Sequence, residues 1–404
     1  MIFWLAAAPG WAIGYRGFLQ PMVKSYTSKD GIVPFKFDAL RLEITSSYGY
    51  DISWLVRNDI YLDNLTEERL TARHEIREAY VDYYTPAGDF RVGEQIISWG
   101  MADENNPTDN INPEDFSDPF VEKSERKLGV LALKSDIYLG NWLLEGVWVP
   151  YFKASVLPDL SGDYSFMPFP PGTPLPSTTE PPQDPSSSQF GLRAVKRGQG
   201  FDWSLSYYSG YEKIFTPVMS GPLVTKLIYN RIRIAGADFA SDFFGLDTRG
   251  ETAYFITEDE DGSDPEIKNP YFQYVLESSY TFENDFKLGL AHAGETTVMI
   301  DDQTEAEQEK LIFPRAGMQL CMFSTNAWLL ILEKEFPDQY ISIRSPVIHD
   351  AANDGMLVRP EASWSPQDNL TYYIGLVLFS GSGDSMLGSF SDMDQAYFKI
   401  RYSF

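Results

Sequence analysis

The chain has 404 residues, 43% of them hydrophobic, and its 58 acidic and 32 basic side chains give a net charge of -26. That sign argues against a nucleic-acid partner, and a mean hydropathy of -0.26 without any run of 18 apolar residues excludes a helical membrane protein. The lone cysteine, Cys321, excludes a disulfide framework and a cysteine-based zinc site.

The chain opens on "MIFWLAAAPGWA", which resembles the apolar and small-residue part of a secretory signal without its basic lead. Residues 1–12 are therefore expected to be the remainder of a signal or an N-terminal segment. Residues 13–404 read as one body. Their pattern has period two rather than 3.6, which predicts strands. The first strand is expected at about 14–27. "YDISWLVRNDIYL" sets Ile52, Trp54, Val56 and Ile60 against Asp51, Ser53, Arg57 and Asp59. "FDWSLSYYSG" sets Phe201, Trp203, Leu205 and Tyr207 against Asp202, Ser204, Ser206 and Tyr208. "MLVRPEASW" sets Val358, Ala362 and Trp364 against Arg359, Glu361 and Ser363. The last strand, 395–404, sets Phe398, Ile400, Tyr402 and Phe404 against Tyr397, Lys399, Arg401 and Ser403.

Short and long connections alternate. The short ones are expected at 46–51, 85–90, 138–142, 196–201, 240–247, 281–286, 323–328 and 363–370. The longest connections are 100–126, dense in Asp, Asn and Pro, and 153–188, rich in Pro and Ser. The second has no composition suited to a ladder and is expected to be a dispensable loop. Either of the two could fold into or cap a barrel. The count gives about 18 strands (16–18), with short turns toward the periplasm and long loops outside.

Aromatic residues make up 15% of the chain, and they recur near strand ends, as the two interfaces of a bilayer require. The opposite face carries charge in mid-strand. In lipid a sheet must close, because no water is present to satisfy an open edge. The fold expected is all-β: a transmembrane antiparallel up-and-down β-barrel, wide enough at this strand number for an aqueous lumen. The final strand would close it, and its Phe398, Ile400, Tyr402 and Phe404 resemble the C-terminal assembly signal of Gram-negative outer-membrane barrels.

Several stretches are similar to a known family. They are "REAYVDYYTPAGDFRVGEQIISWG" (77–100), "NPEDFSDP" (112–119), "LLEGVWVPYFKASVLP" (143–158), "FGLRAVKRGQGFDWSLSYYSGYE" (190–212) and "GLDTRGETAYF" (245–255). They resemble a large proteobacterial family of porin-like outer-membrane barrels catalogued as a domain of unknown function. Where that family has Gly-Arg-Gln, this chain has Gly93-Glu94-Gln95. The resemblance implies a bacterial outer-membrane location and this architecture. It implies little about substrate.

If the alternation holds, the lumen is lined by Arg41, Arg57, Arg91, Gln95, Arg193, Arg231, Arg233, Arg249, Glu251, Arg315, Arg359 and Glu361. Glu43, Asp59 and Arg401 would join them. An arginine on the lipid face at mid-membrane costs about 2–4 kcal/mol, so Arg231 and Arg233 are expected to point inward. The acids gather in three loops: from Asp103 and Asp109 to Asp118, from Glu258 to Glu266, and from Asp301 to Glu307. The lumen is thus expected to be more basic than the outside. Asp103, Asp109, Asp259 and Asp261 are weak candidates for calcium, without the spacing of an EF-hand.

Catalysis has little support. His74, His292 and His349 lie far apart, and only His349-Asp350, expected in an outer loop, resembles a protease pair. No cofactor is expected. The primary reading is a porin-like channel for passive or selective passage of small solutes. The alternative is a structural barrel that partners a periplasmic export system or sheathes an envelope cytochrome. An outer-membrane hydrolase is the remote third. The expected surroundings are outer-membrane lipid, lipopolysaccharide and the barrel-assembly machinery.

Overall fold

The computed structural model describes residues 11–26, 32–63, 71–103, 106–117, 123–157, 176–220, 223–264, 267–298, 326–382 and 385–404. Among them, 18 strands form one closed antiparallel barrel. The first seven are β1 (Trp11–Tyr26), β2 (Ile32–Tyr48), β3 (Ile52–Asp63), β4 (Thr71–Thr85), β5 (Gly88–Gln95), β6 (Val130–Leu139) and β7 (Trp142–Val149). Then come β8 (Gln189–Lys196), β9 (Phe201–Tyr211), β10 (Arg231–Phe243), β11 (Leu246–Ile256), β12 (Tyr271–Thr281) and β13 (Phe286–Thr297). β14 (Asn326–Phe336) and β15 (Ile341–Asp350) follow. β16 runs in two pieces, Gly355–Val358 and Glu361–Gln367, and β17 (Leu370–Gly381) and β18 (Gln395–Ser403) complete the wall.

Each strand pairs with its neighbours in sequence, and β18 returns to β1 through Leu19–Tyr402, Val23–Phe398 and Tyr26–Gln395. The terminal residue seals the ring. Gly17 N–H donates to the Phe404 carbonyl at 2.9 Å, and Phe404 N–H donates to the Gly17 carbonyl at 3.0 Å. The ladder loses donors where two prolines meet. Pro346 in β15 and Pro360 in the break of β16 donate nothing, and each only accepts, from Arg359 N–H at 3.0 Å and Leu376 N–H at 2.9 Å.

Seven of the eight short turns fall where the sequence puts them. The eighth does not: 323–325 lie outside the described residues, and Asn326 starts β14 at the long-loop end, opposite Gly294. The turn lies at Pro337–Gln339 instead, closed by Tyr340 in the left-handed region at φ 56°. Proline there removes a ladder donor, which ends the strand. The long end also holds one short link, 351–354, between β15 and β16.

The outward face is apolar through the middle of the wall. Leu192 and Ile374 are each 62% exposed, and Leu205, Leu276 and Leu290 are exposed beside them. A continuous surface of this kind suits hydrocarbon rather than water. Aromatic residues border it at both ends. Toward the short turns Trp142 meets Trp203 at 5.3 Å and Trp364 stacks on Tyr372 at 5.7 Å. Toward the loops Tyr254 stacks on Phe272 at 4.6 Å and His292 lies 4.5 Å from Trp328. Such cross-strand pairs add about 0.2–1 kcal/mol each to the sheet.

The 153–188 connection departs from expectation. Ser177–Thr179 does form a ladder, parallel to Lys226–Ile228, in a small sheet with Thr216–Ser220. The stretch that pairs is its proline-free Ser-Thr-Thr, which suits a strand. Residues 158–175 lie outside the described residues.

The closure predicts an assembly defect. Deleting Tyr402 to Phe404 removes both bonds to Gly17 and the Leu19–Tyr402 pair. The truncated chain should lose heat-modifiable migration on gels. Migration identical to that of the full chain would refute the role of the terminus.

Candidate functional site

One segment leaves the wall and enters the barrel. After β5, residues 96–117 touch the same face of strands on opposite arcs, which only the lumen allows. Ile96 N–H donates to Glu78 of β4 at 3.0 Å, and Trp99 Nε1 donates to Glu145 of β7. Met101 and Ala102 N–H donate to Glu251 Oε1 of β11 at 2.6 and 2.7 Å, and Asp103 N–H donates to Glu277 of β12 at 2.9 Å. The 100–126 connection thus folds in, and the start of the 153–188 connection pairs with it: Phe116 N–H donates to the Val156 carbonyl at 2.7 Å, and Val156 N–H donates to the Glu114 carbonyl at 2.9 Å.

Glu251 is the main anchor. It also accepts Asn106 Nδ2 at 2.8 Å and the Thr108 hydroxyl at 2.9 Å. The approach needs a glycine. Gly100 has φ +92°, and a Cβ there would lie 2.4 Å from Glu251 Oε1. Gly191 and Gly236 leave room in the wall for Trp99 and Thr108. Asn112 holds the return half: it accepts Ile97 N–H at 2.8 Å and donates to the Gln95 and Leu128 carbonyls at 3.0 and 2.7 Å. Apolar contacts complete the packing. Trp99 and Ile111 bury against Val130, Val147, Ile232 and Ile234. Ala102 and Phe116 join a cluster with Leu329, Leu357, Phe379 and Phe390.

The charges expected in the lumen are mostly ion pairs. Arg41 grips Asp59 at 2.8 and 2.7 Å and reaches Glu125 at 2.8 Å. Arg57 links Glu43 at 2.7 Å to Glu78 at 2.5 Å, and Arg16 meets Glu43 at 2.5 Å. Arg91 pairs with Asp82 at 2.7 Å, and Arg193 with Asp238 at 3.1 Å. Arg249 holds Asp247 at 2.8 Å and bonds Asp103. Glu361 accepts Tyr397 at 2.7 Å and Lys399 at 3.3 Å, and Arg401 donates to Gln20 at 2.6 Å. Gln95 donates to the Ala132 carbonyl at 2.8 Å. Arg359 pairs with no acid among the described residues. Arg315 lies outside them. This pairing corrects the expectation of a basic lumen, because each gripped arginine spends its field on a neighbouring carboxylate.

Arg231 and Arg233 are the clear correction. They face outward and are exposed, while Ile232 and Ile234, each 4% exposed, face the lumen. Two causes combine. The inward segment needs apolar partners at that height, and the pair stands at the loop end of β10, where an outward arginine meets polar surroundings. Arg231 donates to the Ser186 carbonyl at 2.8 Å, and Arg233 bonds Glu260.

The candidate calcium residues serve other ends. Asp103 pairs with Arg249 and Asp109 with Lys127. Asp259 accepts Ser263 and Asp264 N–H at 3.0 Å each, and Asp261 accepts the Ser263 hydroxyl at 2.8 Å. Among the described residues no three His, Cys, Asp or Glu side chains gather as a metal site. His349 and Asp350 end β15 rather than occupying a loop. They point to opposite faces: His349 is exposed opposite Trp328, and buried Asp350 accepts Ala352 and Asn353 N–H at 3.1 Å.

A cavity of about 110 Å³ lies against the return half of the inward segment. Asp109, Asn110, Asn112, Glu114 and Phe116 form one side; Tyr208, Ile232, Ile234, Phe255, Tyr271, Gln273 and Glu295 of the wall form the other. Lys213 and Lys268 complete it. Lys213 lies in the connection after β9, where burial pushes its amine down to about 7.

The chain matches the family model described as "Protein of unknown function (DUF1302)" over residues 28–274, more than half its length. It belongs to this family. No curated protein matches it in sequence. Among solved structures, OpdK of Pseudomonas aeruginosa, determined with vanillate, aligns at TM-score 0.55 and 11% identity. The alignment covers 97% of this chain and 98% of OpdK. OmpT of Vibrio cholerae aligns at 0.46 with 9% identity, covering 98% of this chain and 99% of that one. A Rhodopseudomonas blastica porin mutant aligns at 0.44 with 11% identity, covering 97% and 100%. The likeness to OpdK shows a shared barrel fold.

Two outcomes follow from this geometry. Glu251→Ala strands several donors, at about 1–3 kcal/mol for each buried group left without an acceptor. The Met101 and Ala102 amides should then exchange hydrogen about ten-fold faster or more, while mid-wall amides stay protected. Unchanged exchange would show that Glu251 is no anchor. Separately, replacing Arg231 and Arg233 by Ser should leave the reversal potential of an open pore in a salt gradient unchanged, because neither side chain faces the lumen.

Proposed function

We propose that this protein is an outer-membrane channel whose lumen is narrowed by residues 96–117 and which passes small solutes selectively. The observation that carries the reading is the pinned inward segment. It crosses a closed barrel, and buried carboxylates from the wall hold it. A pore of this width without such a segment would sort little beyond size. A fixed constriction with ordered polar groups sorts by shape and hydrogen bonding. The porin-like fold supports the same location, with the apolar outer face in lipid and the loops outside.

A second reading has one specific support. The apolar cluster of Phe116, Leu357, Phe379, Leu387 and Phe390 fills part of the lumen. A barrel sealed at that level would serve as a structural partner of an envelope complex rather than a pore.

Reconstitution in planar bilayers separates the two. The native chain should give discrete small conductance steps, and a variant lacking residues 101–110 should give larger ones. Steps of equal size would remove the segment from the conducting path. If neither chain conducts, the channel reading is wrong and the sealed barrel stands.

A further inference from the structure

The cavity beside the inward segment holds two polar groups whose bonding is incomplete, and they are of opposite kind. The first is Lys213. Its Nζ donates to Gln189 Oε1 at 2.5 Å, an oxygen that also accepts the Tyr208 hydroxyl at 2.6 Å. An ammonium has three N–H groups to place. Among the described residues no carboxylate pairs with this one, and its Nζ stands over the Phe152 and Tyr208 rings, 5.6 Å from each centroid.

The acids around the cavity are already engaged. Lys127 bonds Asp109, Arg126 reaches Glu114 at 3.1 Å, and Lys268 bonds Glu295. Glu212 accepts the Thr216 hydroxyl at 3.3 Å. Among the described residues the lysine therefore has no carboxylate bonded to it, and a bound anion can supply its counter-charge.

The second group is Gln273. Its Nε2 donates to Glu295 Oε2 at 3.0 Å, which fixes the orientation of the amide. Its Oε1 is buried and has no hydrogen-bond partner among the described residues. A buried acceptor left open favours a ligand that brings a donor. The same cavity is also lined by the apolar Ile232, Ile234 and Phe255, each 4–5% exposed.

We propose that this cavity binds a small carboxylate that carries a hydroxyl group on an apolar body. The carboxylate meets Lys213, the hydroxyl donates to Gln273 Oε1, and the body lies on Ile232, Ile234 and Phe255. Its role as a station on a transport route rests on the channel reading; the binding itself does not.

The test uses the full chain in lipid nanodiscs, titrated calorimetrically with 4-hydroxybenzoate, benzoate and 4-hydroxybenzyl alcohol. The first should bind, and the other two should bind about ten-fold more weakly or not at all, because each leaves one buried group unmet. Lys213→Met should abolish the preference for the carboxylate, and Lys213→Arg should keep it. Gln273→Leu should abolish the preference for the hydroxyl and provides a second reading if Lys213→Met fails to fold. Equal affinity for all three probes, or no heat from any of them, would overturn the site. A native pore that conducts without binding 4-hydroxybenzoate refutes this site alone. Binding in a barrel that never conducts refutes the channel alone.

Discussion

Everything in this structure depends on the closure of one backbone ladder. Hydrocarbon offers no partner to an open N–H or carbonyl, at a cost of several kcal/mol for each group. The pairing of β18 with β1 removes the last free edge, and the bonds between Gly17 and Phe404 carry it to the final residue. That demand explains why Gln395–Ser403 is a regular strand. It also explains why prolines in the wall are so restricted. Pro346 and Pro360 sit in adjacent strands, and each still accepts a bond from its neighbour, so the ring is thinned there without being opened.

The inward segment faces the same demand without a ladder to meet it. Residues 96–117 pass through the lumen largely as irregular chain, so their backbone groups need partners from side chains. The wall supplies them as carboxylates. Glu78, Glu251 and Glu277 take backbone donors, and Glu145 takes the Trp99 indole. These acids sit on rigid, closed strands, so the segment inherits a fixed position. A buried carboxylate is costly unless it is well bonded, and Glu251, with backbone, amide and hydroxyl donors around it, is. Wall and constriction are one construction: without the closed ring the acids have no fixed geometry, and without the acids the segment has no seat.

The sequence made the wall legible because period two is a local property. Trp203, Leu205 and Tyr207 face outward as their alternation says, and so do Phe398 and Tyr402. The same rule failed at Arg231 and Arg233 for a non-local reason. The alternation there gives two faces, arginine and isoleucine, and the usual assignment of charge to the lumen chose the wrong one. What reversed it was a segment more than 110 residues earlier, whose Trp99 and Ile111 make that part of the lumen apolar. The turn near 337 departs from expectation for a simpler reason: the apolar pattern of Leu329–Phe336 belongs to one strand, and Pro337 ends it. Lys213 and Gln273 were not legible as a pair. One lies in a loop and carries no period, and the other reads as an ordinary inward polar residue.

The paired arginines change what selectivity can rest on. Had the lumen carried unpaired cations, a diffuse field would attract anions of every shape. Arg41, Arg57, Arg91 and Arg193 instead hold carboxylates at 2.5–3.1 Å, so their fields are short-ranged. In the proposed channel, discrimination would then fall to individual groups that the protein leaves incompletely bonded, beside the inward segment. Such groups reject a solute that lacks the matching donor or acceptor far more strongly than they reject one of slightly different size. A channel of the kind proposed would sort by chemical pattern, with its specificity decided by few side chains.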